Sequence, residues 1–143
     1  MEKRILLDTS VYGEFVDDRE FFYILKQKIR TYLLYFYDQL ITKENHVLKV
    51  NFLVESLAQK YYSEYRKRGG GIGEENIRND SLIVASATLY QMAILVSSDK
   101  RTLLSDHALK AYKHVNDING LKSPEYLNYK AFRNKLFKRC DIS

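Results

Sequence analysis

The sequence predicts an α/β fold, a small parallel sheet flanked by helices on both faces. Two observations carry that prediction. The apolar runs Ile5-Leu6-Leu7 and Ala93-Ile94-Leu95-Val96 each lead into a turn built from Ser, Thr and Asp. Around them lie longer stretches whose apolar residues recur at helical spacing, the alternation that builds a parallel sheet.

Taken in order, residues 4–7 read as a first strand, fully buried because it does not alternate. Residues 11–16 follow as a short helix or turn. Asp17-Asp18 resemble a helix start, where acids cap free amides and suit the dipole, ahead of Phe21, Phe22, Ile24, Leu25 and Ile29. In residues 31–41, Leu33, Leu34, Phe36, Tyr37, Leu40 and Ile41 share one helical face. Residues 46–50 are a plausible second strand. Asn51 is placed to cap a helix in which Leu53, Leu57, Tyr61 and Tyr65 recur every fourth residue beside Val54 and Ala58. Arg66-Lys67-Arg68 and the glycines from Gly69 to Gly73 end it. A helix then opens at Asp80, with the small residues Ala85, Ser86 and Ala87 allowing close approach to the sheet. Residues 93–96 form the next strand, and residues 102–115 a helix with Leu103, Leu104, Ala108, Ala111 and Tyr112 inward. A weak strand signal covers 115–118. Ser123-Pro124-Glu125 reads as a helix start with proline in the first turn. No repeat or linker divides the chain, so residues 1–143 are expected to form one domain.

Charge and cysteine usage narrow the function. With 23 Lys+Arg against 18 Asp+Glu, the net charge of +5 favours polyanionic partners. Cys140 is the single cysteine, so no intrachain disulfide forms, which fits a reducing cytoplasm. Met1-Glu2-Lys3-Arg4 leads into only three apolar residues, unlike a secretory signal. The richest apolar stretch, 32–41, is interrupted by Asp38 and Gln39 and is too short for a bilayer. The chain has 12 tyrosines and no tryptophan; tyrosine serves core packing or base stacking. Gly69 to Gly73 lack the Lys-Ser/Thr of a phosphate-binding P-loop. His107 and His114 lie too far apart along one helix to chelate an ion. No Ser–His or Cys–His pairing suggests covalent catalysis.

The candidate chemistry lies in three aspartates. Asp8 closes the first strand and is followed by Thr9-Ser10. Asp99 follows the second apolar run through Ser97-Ser98, and Asp80 stands at the presumed start of a helix. The carboxyl ends of parallel strands share one edge, and right-handed crossovers bring Asp8 and Asp99 to it. Carboxylates gathered there repel one another unless a cation neutralises them, and hard oxygen ligands suit Mg²⁺ or Mn²⁺. Each also has a local alternative. Asp8 suits a turn that binds its own loop, Asp80 a helix N-cap in competition with Asn79 and Ser81, and Asp99 a turn. Lys100 and Arg101 read equally as phosphate-binding groups and as a solvated turn. Asp106 reads first as an exposed helix residue.

Leu6-Leu7-Asp8-Thr9-Ser10, Asn79-Asp80 before an alanine-rich helix, and Val96-Ser97-Ser98-Asp99, in that order, resemble the PIN-domain nucleases. The resemblance covers roughly residues 4–129. It implies that Asp8, Asp80 and Asp99 bind Mg²⁺ or Mn²⁺ and cleave RNA or DNA, with Thr9 or Ser10 and Ser97 or Ser98 orienting the ligands. Small members of the family include VapC-like toxin ribonucleases, so the resemblance implies an RNA substrate, an antitoxin protein partner and self-association. The dimer surface is expected on the tyrosine-rich helices at 31–41 and 51–65. The chain departs from the family pattern after Ile29, where a strand and a helix bearing a glutamate are not evident. Glu14 and Glu55 do not match that glutamate by position, and Thr102 and Asp106 stand near the place of a further aspartate. The departure supports an alternative: a catalytically degenerate PIN-like domain that binds RNA or a protein. A phosphotransferase with Asp8 as nucleophile ranks low, because residue 10 is Ser.

Overall fold

The computed structural model describes residues 5–8, 10–18 and 49–140. The helical patterns of 19–41, the strand residues 46–48 and Thr9 lie outside them. Three short strands, β1 (Ile5–Leu7), β2 (Ile94–Val96) and β3 (Glu125–Leu127), form one sheet in the order β1-β2-β3. Both pairings are parallel, with Leu7 opposite Val96 and Val96 opposite Leu127. The described residues also form the helices α1 (Ser10–Asp17), α2 (Phe52–Lys67), α3 (Glu74–Leu89), α4 (Asp106–Ile118) and α5 (Tyr129–Cys140). The architecture is α/β, as expected.

The central strand explains where the core sits. Ile94, Leu95 and Val96 are all buried, and alternate residues enter different clusters. Leu95 packs with Val54, Tyr61, Ile77, Val84, Leu103 and Tyr112 from α2 to α4 and the turn before α4. Ile94 and Val96 pack with Val11 of α1 and Tyr129 and Phe132 of α5. Burying each large apolar side chain contributes about 2 kcal/mol. β1 is only half-buried, contrary to expectation, because among the described residues it is an edge strand with β2 as its neighbour.

Asn51 caps α2 as expected, its Oδ1 accepting the Val54 amide at 3.0 Å. Val54, Leu57, Ala58, Tyr61 and Tyr65 face inward, whereas Leu53 is 64% exposed. The tyrosines Tyr61 and Tyr65 are therefore core residues and supply no dimer surface or base-stacking platform. Gly69, with φ of +91°, turns the chain after α2. Lys49 and Val50 are not in a strand.

Four further boundaries differ from expectation. α3 starts at Glu74, not Asp80: Gly73 is the N-cap, and Glu74 and Glu75 complement the dipole of the first turn. Asp80 lies on the second turn, so neither it nor Asn79 nor Ser81 caps the helix. α4 starts at Asp106 because Asp99 holds the amides of Arg101 and Thr102 in a turn. Residues 115–118 remain helical in α4 rather than forming a strand. Pro124 precedes β3, not a helix; the Glu125 amide donates to the Ala93 carbonyl at 2.9 Å. The helix begins four residues later, where Asn128 Oδ1 accepts the Ala131 amide at 2.8 Å. Asp17 is the last residue of α1 and Asp18 pairs with Arg133 Nε at 2.9 Å; the helix expected to follow them lies outside the described residues. Among the described residues no helix is long and apolar enough to cross a membrane.

Candidate functional site

All three strands end at one edge because all are parallel, and the ladder continues one residue past each of the first two. The Asp8 amide donates to the Val96 carbonyl at 2.9 Å, and the Ser97 amide to the Leu127 carbonyl at 3.0 Å. Backbone pairing thus fixes Asp8 beside Ser97. Asp8 is 7% exposed. Its Oδ2 accepts the hydroxyls of Ser10 at 2.7 Å and Ser97 at 2.8 Å. Ser10 Oγ in turn accepts the Ser98 amide at 3.0 Å, and Ser97 Oγ accepts the Asp99 amide at 3.1 Å. These bonds join the loop after β1 to the loop after β2.

Asp99 organises the second loop. Its Oδ1 accepts the amides of Arg101 at 3.1 Å and Thr102 at 2.9 Å, and its Oδ2 accepts the Thr102 hydroxyl. Burial opposes ionisation, but the bonds from Thr102 and Arg101, with the Arg101 charge, outweigh it and hold the Asp99 pKa below its ordinary value. Asp80 behaves oppositely. Burial pushes its pKa up, and the charges of Asp99 and then Asp8 add to that, while the Thr102 hydroxyl opposes them. Asp80 lies on the second turn of α3, and the Thr102 hydroxyl donates to Asp99.

The structure therefore brings Asp8, Ser10, Ser97, Ser98 and Asp99 into one bonded group, with Asp80 facing them electrostatically. Lys100 and Arg101 are exposed on the rim. Asp106 is exposed at the start of α4, and no bond described at the edge includes it. Glu14 is exposed on α1, and Glu55 on the first turn of α2. Sequence reasoning placed Thr102 only near a further aspartate and gave it no role of its own. The spacing Asp99-x-x-Thr102 was its signal, since an aspartate commonly accepts the amide three residues on.

Every donor atom at this edge is an oxygen, from carboxylates or hydroxyls, a set that fits a hard divalent cation. Among the described residues, no three Asp, Glu, His or Cys side chains stand close enough together to ligate one ion directly. Comparison with protein-family models, curated proteins and solved structures returns no match.

Proposed function

We propose that the chain is a PIN-like, metal-dependent nuclease that hydrolyses phosphodiester bonds, with RNA as its substrate. The observation that carries this reading is the bonded group that joins Asp8 and Asp99 at the carboxyl edge of a parallel sheet, through Ser10, Ser97 and Ser98. Carboxylates held against one another in a half-buried place store a demand for positive charge. The two core clusters reached by alternate residues of β2 support the reading of helices on both faces.

Asp8, Asp80 and Asp99 are the carboxylates that would hold Mg²⁺ or Mn²⁺, and direct ligation by all three would require them to stand closer together than they do here. Such an ion, when bound, supplies an activated water and neutralises charge on the phosphoryl oxygens. The residues around it do the positioning. Ser10 and Ser97 fix the Asp8 carboxylate in one orientation by donating to the same oxygen. Thr102 does the same for Asp99 and keeps it ionised. Lys100 and Arg101, exposed directly after Asp99, bind the phosphates that flank the scissile bond. The net charge of +5 draws a polyanion towards the molecule.

The test is cleavage of end-labelled single-stranded RNA with Mn²⁺, with EDTA and with Asp99→Asn. Cleavage only by wild type with Mn²⁺ is expected; undiminished cleavage by Asp99→Asn would end the assignment.

A second reading has its own observation. Asp8 Oδ2 and both oxygens of Asp99 already accept protein donors, as suits a degenerate PIN-like domain that binds RNA or a protein without cleaving. Gel-shift binding of the same RNA without metal or cleavage favours that reading. A toxin role, with an antitoxin partner and a homodimer, extends the first reading. The exposed Phe52, Leu53 and Ile118 supply apolar surface for an interface in place of the buried tyrosines.

A further inference from the structure

α2 and α4 pack against each other, and along their seam the surface opens into a groove of about 680 Å³. The two helices run antiparallel. Lys60 Nζ donates to Asn119 Oδ1 at 3.4 Å, and His114 Nε2 lies 3.8 Å from Glu64 Oε1. Asn119 thus sets the neighbouring Ile118 beside the middle of α2, while Phe52 stands at its start. Both line the groove, and they are 79% (Phe52) and 69% (Ile118) exposed. Large apolar side chains left in water along a groove gain most from a partner.

The charges of the groove decide which partner. From the start of α2 to its end they read Glu55, Lys60, Glu64, Lys67, two acids and two bases. The groove is therefore balanced although the chain carries +5, and it offers a polyanion no excess of positive charge. One exposed row recurs every fourth residue: Glu55, Gln59, Ser63, Lys67. Residues at that spacing form a ridge on a helix. This ridge begins with an acid in the first turn and ends with a base in the last.

A twofold interface must complement itself, since each contact occurs twice. The ridge meets that condition when turned end for end about its middle. Glu55 then faces Lys67 of the second copy, and Gln59 faces Ser63. Phe52, less than one turn before Glu55, comes beside the same Lys67, whose cation is attracted to the ring face. The opposed dipoles of the two helices suit the arrangement as well. We infer that this groove is the interface of a twofold dimer, in which two copies of the chain pack α2 against α2 antiparallel with both Ile118 residues near the axis. Nothing in the pairing depends on the acidic edge, so loss of the dimer leaves the nuclease reading standing.

Sedimentation equilibrium of the full chain over a range of concentrations tests the pairing. The samples are wild type, Glu55→Lys, Lys67→Glu, Ile118→Arg and the double variant Glu55→Lys/Lys67→Glu, each checked for folding by circular dichroism. Wild type should dimerise reversibly. Either single charge reversal sets two like-charged pairs across the axis and should weaken the dimer about tenfold. Ile118→Arg brings two cations to the axis and should leave a monomer. The double variant should recover the wild-type affinity. An equimolar mixture of the two single variants should recover it too, as a heterodimer in which every acid again faces a base. Folded wild type that stays monomeric at every concentration would overturn the inference and leave the groove to a different partner. A dimer unchanged by the charge reversals, or one restored by neither the double variant nor the mixture, would put the interface elsewhere and overturn it equally.

Discussion

Tyr61 and Tyr112 offer the same substitution in touching rings with opposite expected consequences. Both are buried, at 0% and 1% exposure, and both lose one oxygen on change to Phe. The Tyr61 hydroxyl donates to Asn116 Oδ1 at 2.6 Å and lies 3.1 Å from Thr88 Oγ1. Without it, Thr88 still donates to the Val84 carbonyl at 2.9 Å, and Asn116 Nδ2 still donates to Ser123 Oγ at 2.8 Å. Asn116 Oδ1 loses its donor, and Asn116 is 0% exposed, so water does not replace it. One orphaned buried acceptor costs about 1–3 kcal/mol. At about 4 °C per kcal/mol for a chain of this size, Tyr61→Phe should melt ~4–12 °C lower. The Tyr112 hydroxyl is buried without a partner among the described residues, so Tyr112→Phe removes no bond and should stay within about 0.5 kcal/mol of wild type, or gain stability. The assay is thermal melting and urea unfolding of both variants in EDTA. Equal losses would show that Tyr112 is paired in solution and would refute the reasoning about its hydroxyl.

Three further outcomes follow from local structure. A Cβ on Gly70 would overlap the ring of Tyr65, whose hydroxyl accepts the Ile72 amide at 3.1 Å, so Gly70→Ala should cost roughly 1–3 kcal/mol in urea unfolding. Gln91 holds φ of +57° at the end of α3, and Gln91→Gly should raise stability by about 1 kcal/mol by the same measurement, since left-handed backbone costs other residues that much. Asp80→Asn should stabilise the metal-free protein at pH 7 by about 0.5–2 kcal/mol, the usual size of such relief. Because the folded pKa of Asp80 is raised, its protonated form favours folding, an effect present below the ordinary value and lost as pH rises through the folded value. The gap between Asp80→Asn and wild type should therefore close as pH falls to about 4, read by melting across pH. Asp99 runs the other way: its lowered pKa supplies stability above the ordinary value that is lost only on deeper acidification.

What the sequence made legible was the part written in contiguous residues. Leu6-Leu7-Asp8 and Leu95-Val96 before Ser97-Ser98-Asp99 announced two parallel strands and the acids at their ends, because a buried strand needs an apolar run and its exit needs polar atoms. Asn51 announced its cap in the same way. β3 was not legible: Glu125-Tyr126-Leu127 has no strand pattern of its own, and its pairing with Ile94–Val96 is a tertiary fact. The start of α3 was hidden because Glu74 to Asn79 contain one apolar residue, Ile77, so the apolar pattern begins only near Asp80. The turn at Asp99–Ser105 likewise took the first residues expected of α4. At the site, the acids were visible as residue types, whereas the bonding of Thr102 to Asp99 depends on the turn that leads into α4.

The most direct test of the central claim is a Mn²⁺ titration of wild type and of the Asp8→Asn/Asp99→Asn double variant, followed by thermal melting. A site that binds only the folded state must raise the melting temperature, by an amount set by RT ln(1 + [L]/Kd). Progressive stabilisation of wild type, absent in the double variant, is the predicted result. Wild type that is folded and melts at one temperature at every Mn²⁺ concentration would contradict the account.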